Sequence, residues 1–223
     1  MHRRVSEIEI RYGMTNTELY GNISYHTPED FLSSTKDFFL YLRGFDADIP
    51  FGEENKNNIL FSESMFVEVV DYALGVPCCA LGMTKEVDSP IGATRIYVED
   101  DDWKDNVSKL MIKANRLFIL VNNRNSCVWE IEQSVDLLYK TIFIVDDYEK
   151  YIAIRNRFIN EIKMPIISDS TKIPFFFENG KEAIPFANNW KGYFKILGMD
   201  ADEIEEKKAR EVKAQILEHP LKL

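Results

Sequence analysis

Apolar positions along the chain fall into two patterns. Four short stretches are apolar almost without interruption: FFLYLR (38–43), VPCCALG (76–82), RLFILVN (116–122) and KTIFIVD (140–146). Runs of this kind suit strands covered on both faces, as a parallel sheet requires. Elsewhere apolar residues recur at spacings of three and four, the helical period. Leu60, Met65, Val69, Tyr72 and Ala73 mark a helix over 57–74. Trp103, Val107, Leu110, Met111 and Ala114 mark one over 102–115, and Val128, Ile131, Val135 and Leu138 one over 127–138. A further helix is expected over 148–162, and a fifth strand, PIIS, over 165–168. Alternating strands and helices imply βαβ units with right-handed crossovers. The expected fold is α/β: a flavodoxin-like doubly wound parallel sheet of about five strands. Ligands of such sheets bind at the carboxyl ends of the strands. Chemistry is therefore sought in the loops 44–54, 82–92, 122–126 and 146–148.

The flanks read differently. Residues 1–35 form an N-terminal arm that becomes ordered near Thr27, where TPED offers a cap, a proline at the first helical position and two acids in the first turn. The α/β domain spans 36–168. Residues 169–223 form a C-terminal extension, mostly helical, packing on the domain or projecting from it. Within it IPFFFE (173–178) reads as an edge strand or a packed loop, and PFANNWKGYFKILG (185–198) as a helix with a glycine stop. Residues 200–220 read as a charged helix with a thin apolar stripe, suited to a partner.

Composition narrows the class. The 223 residues are 45% hydrophobic and carry 27 basic against 37 acidic residues, a net charge of −10. That balance suits neither nucleic-acid backbones nor anionic membranes, so neither is expected as a partner. The three cysteines, Cys78, Cys79 and Cys127, form no even framework, and reduced thiols in the cytoplasm are the simplest reading. No C-x-x-C occurs and the three histidines lie near the ends, which argues against zinc. The first residues lack an apolar core for a signal peptide, and no stretch of about 18 apolar residues would span a membrane. Phosphate-loop and dinucleotide glycine signatures are absent, as is a G-x-S-x-G elbow.

Three constellations remain. The acidic run VEDDDW (98–103) has oxygens for a divalent cation, but acids before and within a first helical turn are better read as capping. In LYLRGFDAD (40–48), Arg43, Asp46 and Asp48 sit at the end of the first strand. They offer a guanidinium for a phosphate and acids for ribose hydroxyls, or equally a local ion pair that fixes the loop. In NSCVWEIEQSV (125–135), Asn125 or Ser126 can cap a helix whose buried stripe is Val128, Ile131 and Val135. Glu130 and Glu132 flank that stripe. They either answer the positive helix end or do chemistry at the sheet edge, and Trp129 either covers the sheet or serves a ligand.

Taken in order, FLYLRGFDAD, then GATRIYVEDDDWKDNVSKLMIKANRLFILV, then VWEIE resemble the bacterial TIR-like group, over roughly residues 36–147. The stretch CVWEI is also similar to the nucleophile segment of nucleoside deoxyribosyltransferases, which have a related fold. The resemblance implies a TIR-like fold and action at C1′ of a ribose. The implied activity is hydrolysis or exchange of the N-glycosidic bond of NAD or a related nucleotide, that of an NAD glycohydrolase or of a nucleoside or nucleotide N-glycosidase-type hydrolase, in bacterial defence or signalling. It implies Glu130 as the catalytic carboxylate, with Glu132 in reserve. Arg43 would hold a phosphate, Asp46 or Asp48 ribose hydroxyls, and Trp129 or Tyr41 would shape a base pocket. No cofactor is implied, NAD being a substrate. The implied partners are a nucleotide-like small molecule and a homo-oligomer formed through helices. The alternative is a non-catalytic TIR-like module for nucleotide-signal binding or protein assembly. A helix N-terminus is expected to keep the acting carboxylate ionised.

Overall fold

The structure, a computed structural model, describes residues 26–34, 36–43, 76–83, 94–98, 102–168 and 174–185, together with 195, 197, 198, 200 and 202. Its strands are β1 (Phe39–Leu42), β2 (Cys78–Met83), β3 (Thr94–Val98), β4 (Arg116–Leu120), β5 (Thr141–Val145), β6 (Phe175–Glu178) and β7 (Ile184–Pro185). Its helices are α1 (Pro28–Ser33), α2 (Trp103–Lys113), α3 (Asn125–Ser134) and α4 (Tyr148–Arg157), with a 3-10 segment, Val135–Lys140.

The strands form one sheet in the order β3-β2-β1-β4-β5-β6-β7. The first five are parallel, and β6 and β7 are antiparallel additions. The chain is thus α/β with a mostly parallel sheet. The four apolar runs become β1, β2, β4 and β5; with β3 outside β2, the parallel strands stand in the order 3-2-1-4-5, a doubly wound order whose direction reverses between β1 and β4. All of β1 and β5 is buried, as strands covered on both faces must be.

Side chains alternate between two apolar layers. Leu40, Leu42, Leu117, Ile119 and Phe143 share one cluster with Leu110 of α2, Val128 and Ile131 of α3, and Ile154 of α4. Phe39, Tyr41, Phe118, Leu120 and Ile144 point to the other layer, where Phe176 and Leu197 join them. The sheet separates the two layers.

Several expectations are revised. Residues 165–168 are not a strand. Pro165 lacks the N–H a ladder needs, and the segment is held by tyrosines instead: Tyr148 donates to the Ile167 carbonyl (3.2 Å) and Tyr151 to that of Pro165. The strand beside β5 is β6, from the IPFFFE run, and β7 lies beyond it, so β6 is not the sheet edge. β3, within GATRIYV, was not expected as a strand. The helix expected over 127–138 starts two residues earlier, and after Ser134 it tightens into the 3-10 segment, with Leu137 outside helical geometry (φ −116, ψ 16). α4 ends at Arg157, short of 162.

The TPED start holds: Asp30 accepts from the Thr27 N–H (2.7 Å), closing the first turn of α1. Gly198, the glycine expected to stop the helix over 185–198, adopts φ +71, a conformation that favours glycine. The helix expected over 57–74, most of those expected over 185–198 and 200–220, and the arm before His26 lie outside the described residues. Among those described, no helix is long and apolar enough to cross a membrane.

Candidate active site at the carboxyl edge of the sheet

β1 and β4 are neighbours, with Leu42 level with Ile119, although β2 and β3 intervene in the chain. The chain leaves β1 toward β2 on one side and leaves β4 toward β5 on the other. That is a topological switch point, where doubly wound sheets open a crevice at their carboxyl ends. Arg43 follows β1 directly and is 7% exposed. Asn122, 5% exposed, closes β4.

α3 begins here. The expectation that Asn125 or Ser126 caps it is corrected: Arg124 occupies the cap position without a side-chain cap bond, and both expected residues lie inside the first turn. The turn is set instead by the Asn122 side chain, which accepts from the Arg124 N–H (3.2 Å), an Asx-type turn.

From its first turn α3 presents two adjacent buried stripes. Val128 and Ile131 join the apolar layer. Cys127, Glu130 and Ser134, spaced three and four apart, are also buried, and they belong to neither apolar cluster. Ser134 spends its hydroxyl on the Ile131 carbonyl (2.7 Å). Cys127 is a thiol pushed up to about 11, first by burial and then by Glu130, so it stays protonated at neutral pH.

Glu130 is the outlier of this stripe. It is 1% exposed, and its Oε2 has no hydrogen-bond partner. Leaving a buried acceptor bare costs about 1–3 kcal/mol, so such a group calls for an explanation. Burial pushes the carboxyl from 4.5 to about 8. The expectation of an ionised carboxylate at a helix N-terminus is therefore corrected. Glu130 is the sixth helical residue, the first turn holds no acid, and the dipole's influence fades within that turn. Desolvation prevails, and the resting carboxyl is neutral at pH 7.

Glu132, two residues on, is exposed and its Oε1 accepts from Arg157 Nη2 of α4 at 2.8 Å. Trp129 is half-buried. It meets Trp103 of α2 edge-to-face (centroids 4.8 Å apart), and Lys104 Nζ lies 5.6 Å from its ring centre. Trp129 packs against the helix-side layer, whereas Tyr41, 2% exposed, is buried in the opposite one. The sheet therefore keeps these two aromatic candidates apart. Asp46 and Asp48 lie outside the described residues.

Of the acidic run, residues 99–101 lie outside the described residues. Asp102 takes the cap position of α2, though its side chain makes no cap bond, and Asp105 pairs with Lys109 at 2.5 Å. Among the described residues no group of three His, Cys, Asp or Glu could hold a metal ion.

Two edge residues went unnamed as candidates in the sequence, Asn122 and Asp146. The second follows β5, and burial raises its carboxyl, partly countered by Lys150. Their signal is a polar residue closing an apolar run, LVNN and IVDD. An open groove of about 670 Å³ lies between residues 163–167 and the β6–β7 hairpin, and it shares no residue with α3 or with this edge. The unpartnered carboxyl marks the better candidate, since a groove alone supplies no chemistry.

No protein-family model, no curated protein and no solved structure matches the chain.

Proposed function

We propose that this is a TIR-like protein that cleaves or exchanges the N-glycosidic bond of a ribonucleotide, NAD or a relative of it, with Glu130 as the acting group. One observation carries the reading: a fully buried carboxyl with a bare oxygen, on the helix that leaves the central strand at the switch point. Glycoside cleavage needs a carboxyl group within reach of an anomeric carbon in a site that limits water. Buried titratable groups with shifted ionisation cluster at functional sites. Arg43 supplies a guanidinium for phosphate at the same edge. Because Oε2 is closed off from solvent, turnover includes a step that opens a path for the substrate to it while bulk water stays excluded, and self-association through helices is the proposed trigger.

The test is base release. Concentrated wild-type protein, with and without crowding agents, is incubated with NAD and with common ribonucleotides, and free base is followed by chromatography. Release is expected from wild type, with a loss of about 100-fold or more in Glu130→Ala. Equal silence or equal activity of the two proteins would sink the reading.

The same sealed carboxyl favours a second reading, a non-catalytic module that binds a nucleotide signal or assembles with partners. Binding without turnover would raise the melting temperature and release no base.

A further inference from the structure

Glu130 stands alone on its stripe. Its neighbours one turn away are a protonated thiol, Cys127, and a hydroxyl committed to a backbone carbonyl, Ser134. Glu130 joins none of the ion pairs of the described residues. An isolated carboxyl in such surroundings keeps its proton, because burial penalises the charge and no cation offsets it. This matters for the leaving group. A neutral purine or pyrimidine departs from C1′ with the bonding electron pair and needs a proton to do so. A pyridinium base departs already neutral and needs none.

We infer that Glu130 is a general acid, and that the site takes N-glycosides of neutral purine or pyrimidine bases in preference to pyridinium nucleotides. This rests on the reading of Glu130 as the acting group and specifies its substrate. The carboxyl proton passes to a ring nitrogen of the base as the C1′–N bond breaks. The base leaves neutral with the bonding pair, and the carboxylate left behind faces the cationic C1′. Water then attacks C1′, the new C–O bond forms, and its surplus proton returns to Glu130. No other reactant is required, and the acid is restored for the next turnover. One group thus serves twice, first as proton donor and then as the charge that steadies the oxocarbenium centre.

The experiment compares adenine and cytosine ribonucleotides, NAD and a 4-nitrophenyl riboside, whose phenolate leaves unprotonated, across pH 5.5 to about 9.5. Each is offered to wild type and to Glu130→Gln, a neutral near-isostere whose folding is checked by its melting curve. The neutral-base substrates should turn over faster than NAD, with rates falling as pH rises through about 8. Glu130→Gln should lose about 100- to 10,000-fold on them while keeping the nitrophenyl reaction within about tenfold. Glu130-dependent cleavage that favours NAD, or a rate that climbs through that pH, overturns the inference and leaves Glu130 as the acting group. So does an equal loss on the nitrophenyl substrate. Silence on every substrate overturns the site itself.

Discussion

Two glutamates two residues apart on α3 have opposite fates. Glu132 stands on the outer side, exposed, and is held by Arg157 of α4 at 2.8 Å. Glu130 faces inward, 1% exposed, with an oxygen that nothing satisfies. The helical turn alone separates them, since side chains two positions apart point to different sides. The pairing on the outer side is the kind that solvent tolerates and hardly rewards. The inner arrangement is costly, and a packed residue such as leucine would avoid that cost. Retaining a destabilised group beside an otherwise ordinary core is how strained functional sites stand out. The lesson is that an ion pair is a poor guide to a site, and an unpaired buried carboxyl a good one.

The largest effect that would break this comparison is the pH dependence of stability. The folded value of Glu130 is raised, from 4.5 to about 8, so ionisation favours the unfolded chain. Its contribution is complete below about 4.5 and is lost as pH rises through the window to about 8, where it levels off. The slope is about 1.4 kcal/mol per pH unit, on the order of 4–5 kcal/mol across the window. Urea unfolding of wild type and Glu130→Gln at a series of pH values should show the variant gaining on wild type by that amount from pH 4.5 to 8. Parallel curves would mean that the carboxyl is solvated, and the contrast with Glu132 would vanish.

A second substitution sharpens what burial means on the inner side. Ile131 adjoins Glu130 in the chain, is fully buried, and belongs to the helix-side apolar layer. Ile131→Ala removes packed methylene groups and leaves a cavity, at a cost of about 2–5 kcal/mol at any pH. Glu130→Gln and Ile131→Ala should therefore be told apart by slope and not by size. If Ile131→Ala also changed the pH slope, the two stripes would not be distinct, and the isolation of Glu130 would fail with them.

The sequence displayed the core of this architecture through its uninterrupted apolar runs, which became β1, β2, β4 and β5. It hid β3 because Arg95, although buried in the folded chain, breaks the apolar run that signals a covered strand. The PIIS run misled for the opposite reason: it is apolar, but Pro165 cannot donate to a ladder, so the aromatic strand Phe175–Glu178 takes the place beside β5. At the site, helical spacing flagged Glu130 and Glu132 together and left them equivalent. Their separation depends on what packs against each side of α3, a tertiary fact that no local spacing encodes. The same is true of the two aromatic candidates. Tyr41 and Trp129 are both near the edge in sequence terms, and alternation along β1 sends Tyr41 to the far side of the sheet.

The smallest effect falls on the outer glutamate. Glu132→Gln removes the bond to Arg157, whose partners are both about half exposed (43% and 55%). Exposed pairs of this kind contribute about 0–1 kcal/mol, and salt screens them. Urea unfolding at low and at moderate salt should place the variant within about 1 kcal/mol of wild type, with the gap closing as salt is added. Its pH slope should match that of wild type, because the inner carboxyl is untouched. Base release should also be unchanged, since Glu132 is directed away from the stripe that holds Glu130. A loss of activity in Glu132→Gln, with Glu130→Gln still active, would reverse the roles of the two residues. The exposed, paired carboxylate would then be the acting group, and the buried one a cost without a use.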